Sequence, residues 1–416
     1  MGQTNYKFRY YDCNGAFKFE LTDVVSVEYS RKRNDLGICT VTLVGASYDV
    51  EDFDRDDRLE IYRFVRGQAK LAGETCWFLR KYELQIDSEC DTTITLTFYD
   101  TIHLLTRRYV AWSGKSTFSY VSHMGYQKLD TMLHLLMYFN YGAGTVNPAL
   151  AANSLGVLIP AGTFSATPAI ASWQIEPYGT TVADLVNRQF PIDLTNVSGD
   201  STRTTTQKFE HLSVLEAMQN VSSYSDFEGE KVYFDIIYTP ATANSVAKFT
   251  FQTWIDIRGA DRTYGPARYV VGPEYGNLTD ATILRDWENE ATVAYIAGSG
   301  EDEARLYSSA STLEQPNCTF YPIEVFGTSN TGDDAIPVHN SPDGIAAARV
   351  LLAEHSAVET LTGTIINNDS VDFFENIKPY DKVLAKFKDF EVKVYLDEYT
   401  VTIDDKGEEI SIPLII

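Results

Sequence analysis

Trp77 to Phe98, WFLRKYELQIDSECDTTITLTF, is written again near the C-terminus as Val394 to Leu414, VYLDEYTVTIDDKGEEISIPL. Leu79, Tyr82, Leu84, Ile86 and Asp87 stand 317 residues before Leu396, Tyr399, Val401, Ile403 and Asp404. After a turn one residue shorter, Ile94, Leu96 and Phe98 match Ile410, Ile412 and Leu414, now 316 apart. Upstream, Asp57-Arg58-Leu59-Glu60-Ile61 resembles Asp381-Lys382-Val383-Leu384-Ala385. The strict alternation predicts, in each copy, a short strand, a connection and a hairpin with one apolar face. Leu79, Tyr82 and Ile86 are the expected core positions of the first copy, and Leu396, Tyr399 and Ile403 those of the second. Chance likeness between two ordinary hairpins is the competing reading. A true duplication has a geometric consequence, since a trimer of such chains would present six similar units.

At 416 residues the chain is too long for one core and predicts two to four domains. Hydrophobic residues make up 44% and aromatics 13%, enough to bury several cores. Lys and Arg number 34 against 58 Asp and Glu, a net charge of -24, which argues against tight phosphate binding. The same charge suits a surface that nucleic acid passes without sticking, although acidity also simply keeps a protein soluble. Cys13, Cys39, Cys76, Cys90 and Cys318 form an odd set without CxxC spacing, so neither a disulfide framework nor a zinc ribbon is expected. The opening MGQTNYKFRYYD lacks an apolar run, which predicts a chain made without a signal peptide.

Residues 5 to 100 alternate throughout and predict strands around Val25 to Tyr29, Cys39 to Leu43, Leu59 to Ile61 and the repeat, closing as a small barrel or sandwich. Arg31-Lys32-Arg33 precede an Asn-Asp turn signal; they read as a solvated hairpin tip or as cations that meet a phosphate or an acidic neighbour. Leu129, Leu133 and Leu136 predict a helix over 127–140 with His134 beside the stripe, and 180–190 and 209–222 predict two more. From Thr131 to Ile175 no residue carries a formal charge, and Gly and Pro punctuate the run; it should be covered by another surface, such as a neighbouring subunit. Residues 201–206 and 317–343 read as loops. Ser341-Pro342-Asp343 reads as cap, first-turn proline and acidic first turn of a helix over 344–355. Strands are expected at 232–238, 248–255, 358–366 and 381–387. The resulting division is 1–110, 111–270 with an uncharged insertion at 131–175, and 271–416 with an exposed loop at 317–343.

Catalytic chemistry leaves no signature. There is no HExxH, no nucleophile elbow, no P-loop and no dinucleotide fingerprint. Asp54, Asp56 and Asp57, or Glu301, Asp302 and Glu303, form acidic clusters, but no complete oxygen-ligand loop surrounds them. No catalytic, cofactor-binding or metal-ligating residue is assigned, and no cofactor is expected.

The order of these features carries a resemblance. After the β-hairpins come Tyr99, Asp100, Leu104, Leu105, Arg107 and Arg108, then helices of the ADLV and VLEAMQNVS kind, then GNLTDATILRDWENEATVAYIAGSGEDEAR, a capped helix and YDKV. This resembles the baseplate-hub or tail-hub proteins of tailed bacteriophages, and is similar in particular to siphovirus minor tail proteins of the ReqiPepy type. The resemblance implies an α+β, β-rich chain with two tube-like β-barrel domains at its ends and a helix-containing middle. It implies a homotrimer at the virion tail tip, assembled in the host cytoplasm. That trimer would join a sixfold tail tube or distal tail protein to a threefold tail fibre or spike, with a tape-measure protein as a further candidate neighbour. DNA would pass its lumen without specific binding. The role implied is structural, not enzymatic. Arg107 and Arg108 fall at the family's paired basic position and would make inter-domain or inter-subunit ion pairs, a plain surface position being the competing reading. The run 131–175 departs from the pattern and puts the middle domain's boundaries in doubt. The rival readings are a receptor-binding or glycan-degrading tail protein, and a β-rich virion component without a lumen.

Overall fold

The computed structural model describes residues 5–65, 67–86, 88, 92–110, 121–141, 192–194, 200–227, 229–243, 245–298, 305–312, 322–328, 342–365, 373, 374, 376–387 and 390–415. The N-terminal part contains β1 (Asn5–Tyr11), β2 (Phe17–Glu20), β3 (Val24–Lys32), β4 (Ile38–Val44), β5 (Arg58–Val65), β6 (Gln68–Leu71), β7 (Trp77–Ile86) and β8 (Thr92–Tyr99), then the one-turn helix α1 (His103–Thr106). The middle contains β9 (Val121–Lys128), α2 (Leu129–Tyr141), β10 (Ile192–Leu194), β11 (Thr204–Glu210), α3 (Val214–Phe227), β12 (Val232–Thr239) and β13 (Lys248–Ile255). The remainder holds β14 (Val270–Val271), β15 (Leu278–Asp286), β16 (Val293–Ala297), β17 (Tyr307–Ser311), β18 (Glu324–Thr328), α4 (Pro342–Glu354) and β19 (Val358–Ile365). It ends in β20 (Lys382–Phe387), β21 (Phe390–Tyr395), β22 (Glu398–Asp404) and β23 (Gly407–Ile415).

Both ends of the chain enter one 15-stranded sheet, ordered β14-β20-β21-β23-β22-β3-β4-β8-β7-β5-β1-β2, with β15-β19 joined to β23 and β6 to β5. The chain is β-rich with few helices. Among the described residues no closed barrel forms. The edge of the first copy that a private barrel would use, β3, is taken instead by β22 of the second, from Glu398 opposite Lys32 to Ile403 opposite Val27. Antiparallel pairing needs only matched alternation, and both strands carry it.

One core runs along this sheet. Tyr10, Val27, Tyr29, Val41, Trp77 and Phe98 from the first copy are continuous with Val394, Tyr399, Val401 and Ile412 from the second. A second core joins α2 and α3 to β12 and β13 and reaches Cys76, Phe78 and Leu105 of the N-terminal part. His134 belongs to it as a packed side chain, 4% exposed, with Nδ1 3.0 Å from the Asp130 carbonyl oxygen and its ring edge-on to Phe251. A third, small core of Ala294, Ile296, Ala348 and Leu352 holds β16, β17, β18 and α4 together, inserted between β15 and β19.

Several expected boundaries shift. The helix expected over 209–222 starts at Val214, because Ser213 and Glu216 form a reciprocal cap: the Ser213 N–H donates to Glu216 Oε2 at 2.7 Å, and the Glu216 N–H to Ser213 Oγ at 3.1 Å. Its first residues, together with part of the loop expected at 201–206, become β11, paired with β9. Within the loop expected at 317–343, Glu324–Thr328 forms β18 parallel to β16, a pairing no local signal announces. The helix expected over 180–190, the cap at Ser341 and most of the run 131–175 lie outside the described residues.

Candidate functional site

The duplication extends to individual hydrogen bonds. In the first copy Leu84 lies opposite Ile94 and Leu59 opposite Trp77; in the second, Val401 lies opposite Ile410 and Val383 opposite Val394. The connection into each hairpin is built the same way. Leu79 donates to the Asp57 carbonyl at 2.8 Å and Leu396 to the Asp381 carbonyl at 3.0 Å, while Asp56 donates to Leu79 at 3.1 Å and Tyr380 to Leu396 at 2.9 Å. Asp57 Oδ2 accepts from the Asp54 N–H, and Asp381 Oδ2 from the Lys378 N–H, both at 3.0 Å. Even the left-handed backbone recurs, with φ of 66° at Asp56 and 68° at Tyr380. Side chains there are rarely left-handed, and least of all an aromatic one, so this shared geometry marks a common turn and not a chance likeness.

The repeat-core positions do not all share one environment. Leu79, Leu396 and Tyr399 are buried, and Tyr82 and Ile403 are half-buried against the same core. Ile86 is 64% exposed and is corrected to a surface position. Its counterpart Ile403 is covered by β3, whereas β7 beyond Phe78 has β8 on one side and no ladder partner on the other among the described residues.

Where β22 meets β3, the chain buries a charge network. Arg31, 1% exposed, donates through Nε to Asp100 at 3.2 Å and through Nη2 to both carboxylate oxygens of Asp235 at 2.9 Å; Nη1 donates to the Gly73 carbonyl. Arg258 adds a second cation on Asp235 at 2.5 Å, with its guanidinium 4.0 Å above the Tyr380 ring. Two carboxylates thus share Arg31 unequally. Burial pushes the Asp235 carboxyl upward, but Arg31 and Arg258 together hold it below the usual range. Asp100 has the single longer contact, and burial plus the nearby Asp235 charge, against the pull of Arg31, push it up to about 7.

The cations expected at a hairpin tip are therefore distributed unevenly. Arg33 docks on the middle region, donating to Asp226 at 2.7 and 2.9 Å with its guanidinium 4.6 Å over the Tyr233 ring. Lys32 stays exposed beside Asp35. Arg107 bridges to Asp56 at 2.6 Å, where Arg80 also arrives at 2.7 Å, and Arg108 donates to the Arg107 carbonyl. The structure thus gathers Arg31 and Arg33 at one junction and places Arg107 and Arg108 elsewhere.

Two junction features had no sequence signal. Arg63 holds Glu408 with two hydrogen bonds of 2.9 Å, tying β5 to the β23 of the other copy, and Tyr6 donates to the same carboxylate. Beside it opens a cavity of about 630 Å³ lined by Arg63, Arg258, Arg262, Tyr380 and Tyr399. Arg31, Arg33, Arg63, Arg258 and Arg262 each already hold a carboxylate, so the junction works as a clamp between segments.

No family model matches the sequence, and no curated protein matches it. Solved structures do. A tail protein from Neisseria meningitidis MC58 is similar over 99% of this chain and 97% of its own, with 10% identity and a TM-score of 0.50. The 43 kDa tail protein of prophage MuSo2 from Shewanella oneidensis is similar over 98% of both chains, with 7% identity and a TM-score of 0.51. Prophage tail protein gp18 from Listeria monocytogenes EGD-e overlaps 98% of this chain and 94% of its own, at 13% identity and a TM-score of 0.44. Over nearly its whole length, this chain shares the fold of the Neisseria and Shewanella tail proteins.

Proposed function

We propose that the chain is a structural, non-enzymatic component of a phage-type tail tip, working as a homotrimeric hub. In this reading each chain supplies two tube-wall units, so that three chains present six similar surfaces to a sixfold tail tube or distal tail ring. A trimeric fibre or spike, and a tape-measure segment, are the other neighbours. The observation that carries the reading is the duplicated register of the β5–β7–β8 and β20–β21–β22–β23 units. A duplicated wall suits a place where one symmetry must meet its double. The fold shared with two tail proteins over nearly the whole chain supports the same reading. A net charge of -24 suits a lumen that DNA crosses without binding. Mass photometry of the purified protein, followed by imaging, is the test. The expected result is a trimer whose ring shows six similar densities; a stable monomer or dimer that turns over a host polysaccharide would replace the hub with a glycan-degrading tail protein.

A further inference from the structure

We propose that the open edge of β7 in one copy of the chain pairs antiparallel with the open edge of β15 in the next copy, with Leu84 opposite Ile283. The contact deepens the hub reading and rests on it for the number of copies.

Within one chain, the second unit already docks on the first by a strand-to-strand seam. β22 lies against β3 with Glu398 opposite Lys32, Tyr399 opposite Arg31 and Val401 opposite Tyr29. β22 corresponds to β7 through the repeat, which puts Lys81, Tyr82 and Leu84 at the places of Glu398, Tyr399 and Val401. The other side of the seam also has a counterpart. β3 lies beside β4, and β4 beside β8; β15 lies beside β19, and β19 beside β23. Cys39 faces Phe98 as Leu361 faces Leu414, and Tyr29 faces Cys39 as Ile283 faces Leu361. Tyr29, Arg31 and Lys32 therefore map onto Ile283, Arg285 and Asp286. Each unit has one edge of each kind, and one of each is used up inside the chain. Among the described residues, β15 has β19 as its only ladder partner and β7 beyond Phe78 has only β8.

Transferring the internal register to those two free edges gives chemically matched pairs. Lys81 faces Asp286, an opposite-charge pair like Glu398 and Lys32 with the signs exchanged. Tyr82 faces Arg285, as Tyr399 faces Arg31. Leu84 faces Ile283, and Ile86 arrives near Ala281, two residues along on the same face. Leu84 is 40% and Ile86 64% exposed in the single chain, while Val401, in the place of Leu84, is fully buried by β3. A partner strand would cover both. A free edge with exposed apolar residues is what a sheet normally blunts with charge or a bulge, and here it carries the same pattern as a seam the chain already makes. The contact is head-to-tail, so each added copy offers the same free edge again until the ring closes.

The test is crosslinking in the full chain with Cys13, Cys90 and Cys318 replaced by serine. Glu83→Cys with Leu284→Cys, and separately Leu84→Cys with Ile283→Cys, sample both classes of antiparallel pair, one of which brings the Cα atoms within disulfide reach. Oxidation should give a covalent trimer from at least one pair, and none from the one-residue slip Glu83→Cys with Ile283→Cys. As a variant that leaves the core untouched, Lys81→Asp should weaken assembly at least tenfold, and Asp286→Lys in the same chain should restore it. A trimer by mass without crosslinks at either pair overturns the β7–β15 contact and leaves the hub standing. Register-specific crosslinks in an assembly other than a trimer uphold the contact and overturn the trimeric hub. A protein that neither crosslinks nor assembles overturns both.

Discussion

Arg31 Nη2 donates to both carboxylate oxygens of Asp235, each at 2.9 Å, joining residues 204 positions apart with neither side chain more than 1% exposed. This pair welds β3 of the first sheet unit to β12 of the middle region, beside the place where the second unit docks. Removing one member of a buried pair leaves the other charged and stranded. Arg31→Met should therefore destabilise the chain by about 3–5 kcal/mol in urea unfolding. Arg31→Lys should recover only part of that loss, since an ammonium cannot reach Asp100, Asp235 and the Gly73 carbonyl together.

Asp100 gives the protein a specific pH response. Its carboxyl has an ordinary value of 3.8 and is pushed up to about 7 in the fold, chiefly by burial. Between those values the folded chain keeps a proton that the unfolded chain has released, so this group's contribution to stability falls as pH rises. The slope approaches about 1.4 kcal/mol per pH unit and vanishes below the lower and above the upper value. Asp235, held below its ordinary value by the two arginines, acts in the opposite sense, and its contribution is lost only in acid. Asp100→Asn should flatten the stability profile between pH 4 and 7, read by chemical denaturation at a series of pH values. An unchanged slope would contradict the raised carboxyl.

Gly73 sits at φ of 70°, and a Cβ there would lie 2.9 Å from Tyr399 Oη and 3.2 Å from Arg31 Cδ. Left-handed backbone alone costs a side-chain-bearing residue about 1–2 kcal/mol, and the tyrosine and arginine that crowd it are fixed in the seam. Gly73→Ala should lower the unfolding midpoint accordingly. Gly67, also left-handed at φ of 80° but with nothing near its added Cβ, should lose only the backbone share.

The two aspartate turns offer an internal control. Asp57 and Asp381 are 2% and 1% exposed and accept equivalent backbone hydrogen bonds, with Lys18 reaching the first carboxylate and Arg262 the second. Each substitution to Ala should destabilise by about 1–3 kcal/mol, because a backbone N–H and a neighbouring cation both lose the carboxylate that accepts from them. The double variant should be close to additive, as the two turns share no side-chain partner.

Much of this was legible in the sequence, for a physical reason. Alternation fixes which face of a strand is apolar, so the register of both hairpins follows from Leu84, Ile94, Val401 and Ile410 alone. The aspartate turns were visible only as the likeness of Asp57-Arg58-Leu59 to Asp381-Lys382-Val383, without the reason for it. Ile86 misled because alternation reports a potential buried face and not whether a neighbouring strand arrives to cover it. Arg31 and Arg33 next to an Asn-Asp turn look like a solvated tip. Their partners Asp235 and Asp226 lie some two hundred residues on, where pattern has no reach. Glu324–Thr328 reads as loop because its pairing with β16 is parallel and depends on the inserted unit being assembled.

The seam between β22 and β3 also sets an order of events during synthesis. Glu398 of β22 is made 366 residues after its partner Lys32 of β3, so the first unit must wait with one edge bare while that length of chain is made. Contacts of such separation form slowly, and bare edges are where chains go astray. A chain terminated before Glu398 would keep that edge permanently. It would offer β3 to the β22 or β7 of intact neighbours, making truncated product a poison of assembly and not merely an inactive fragment.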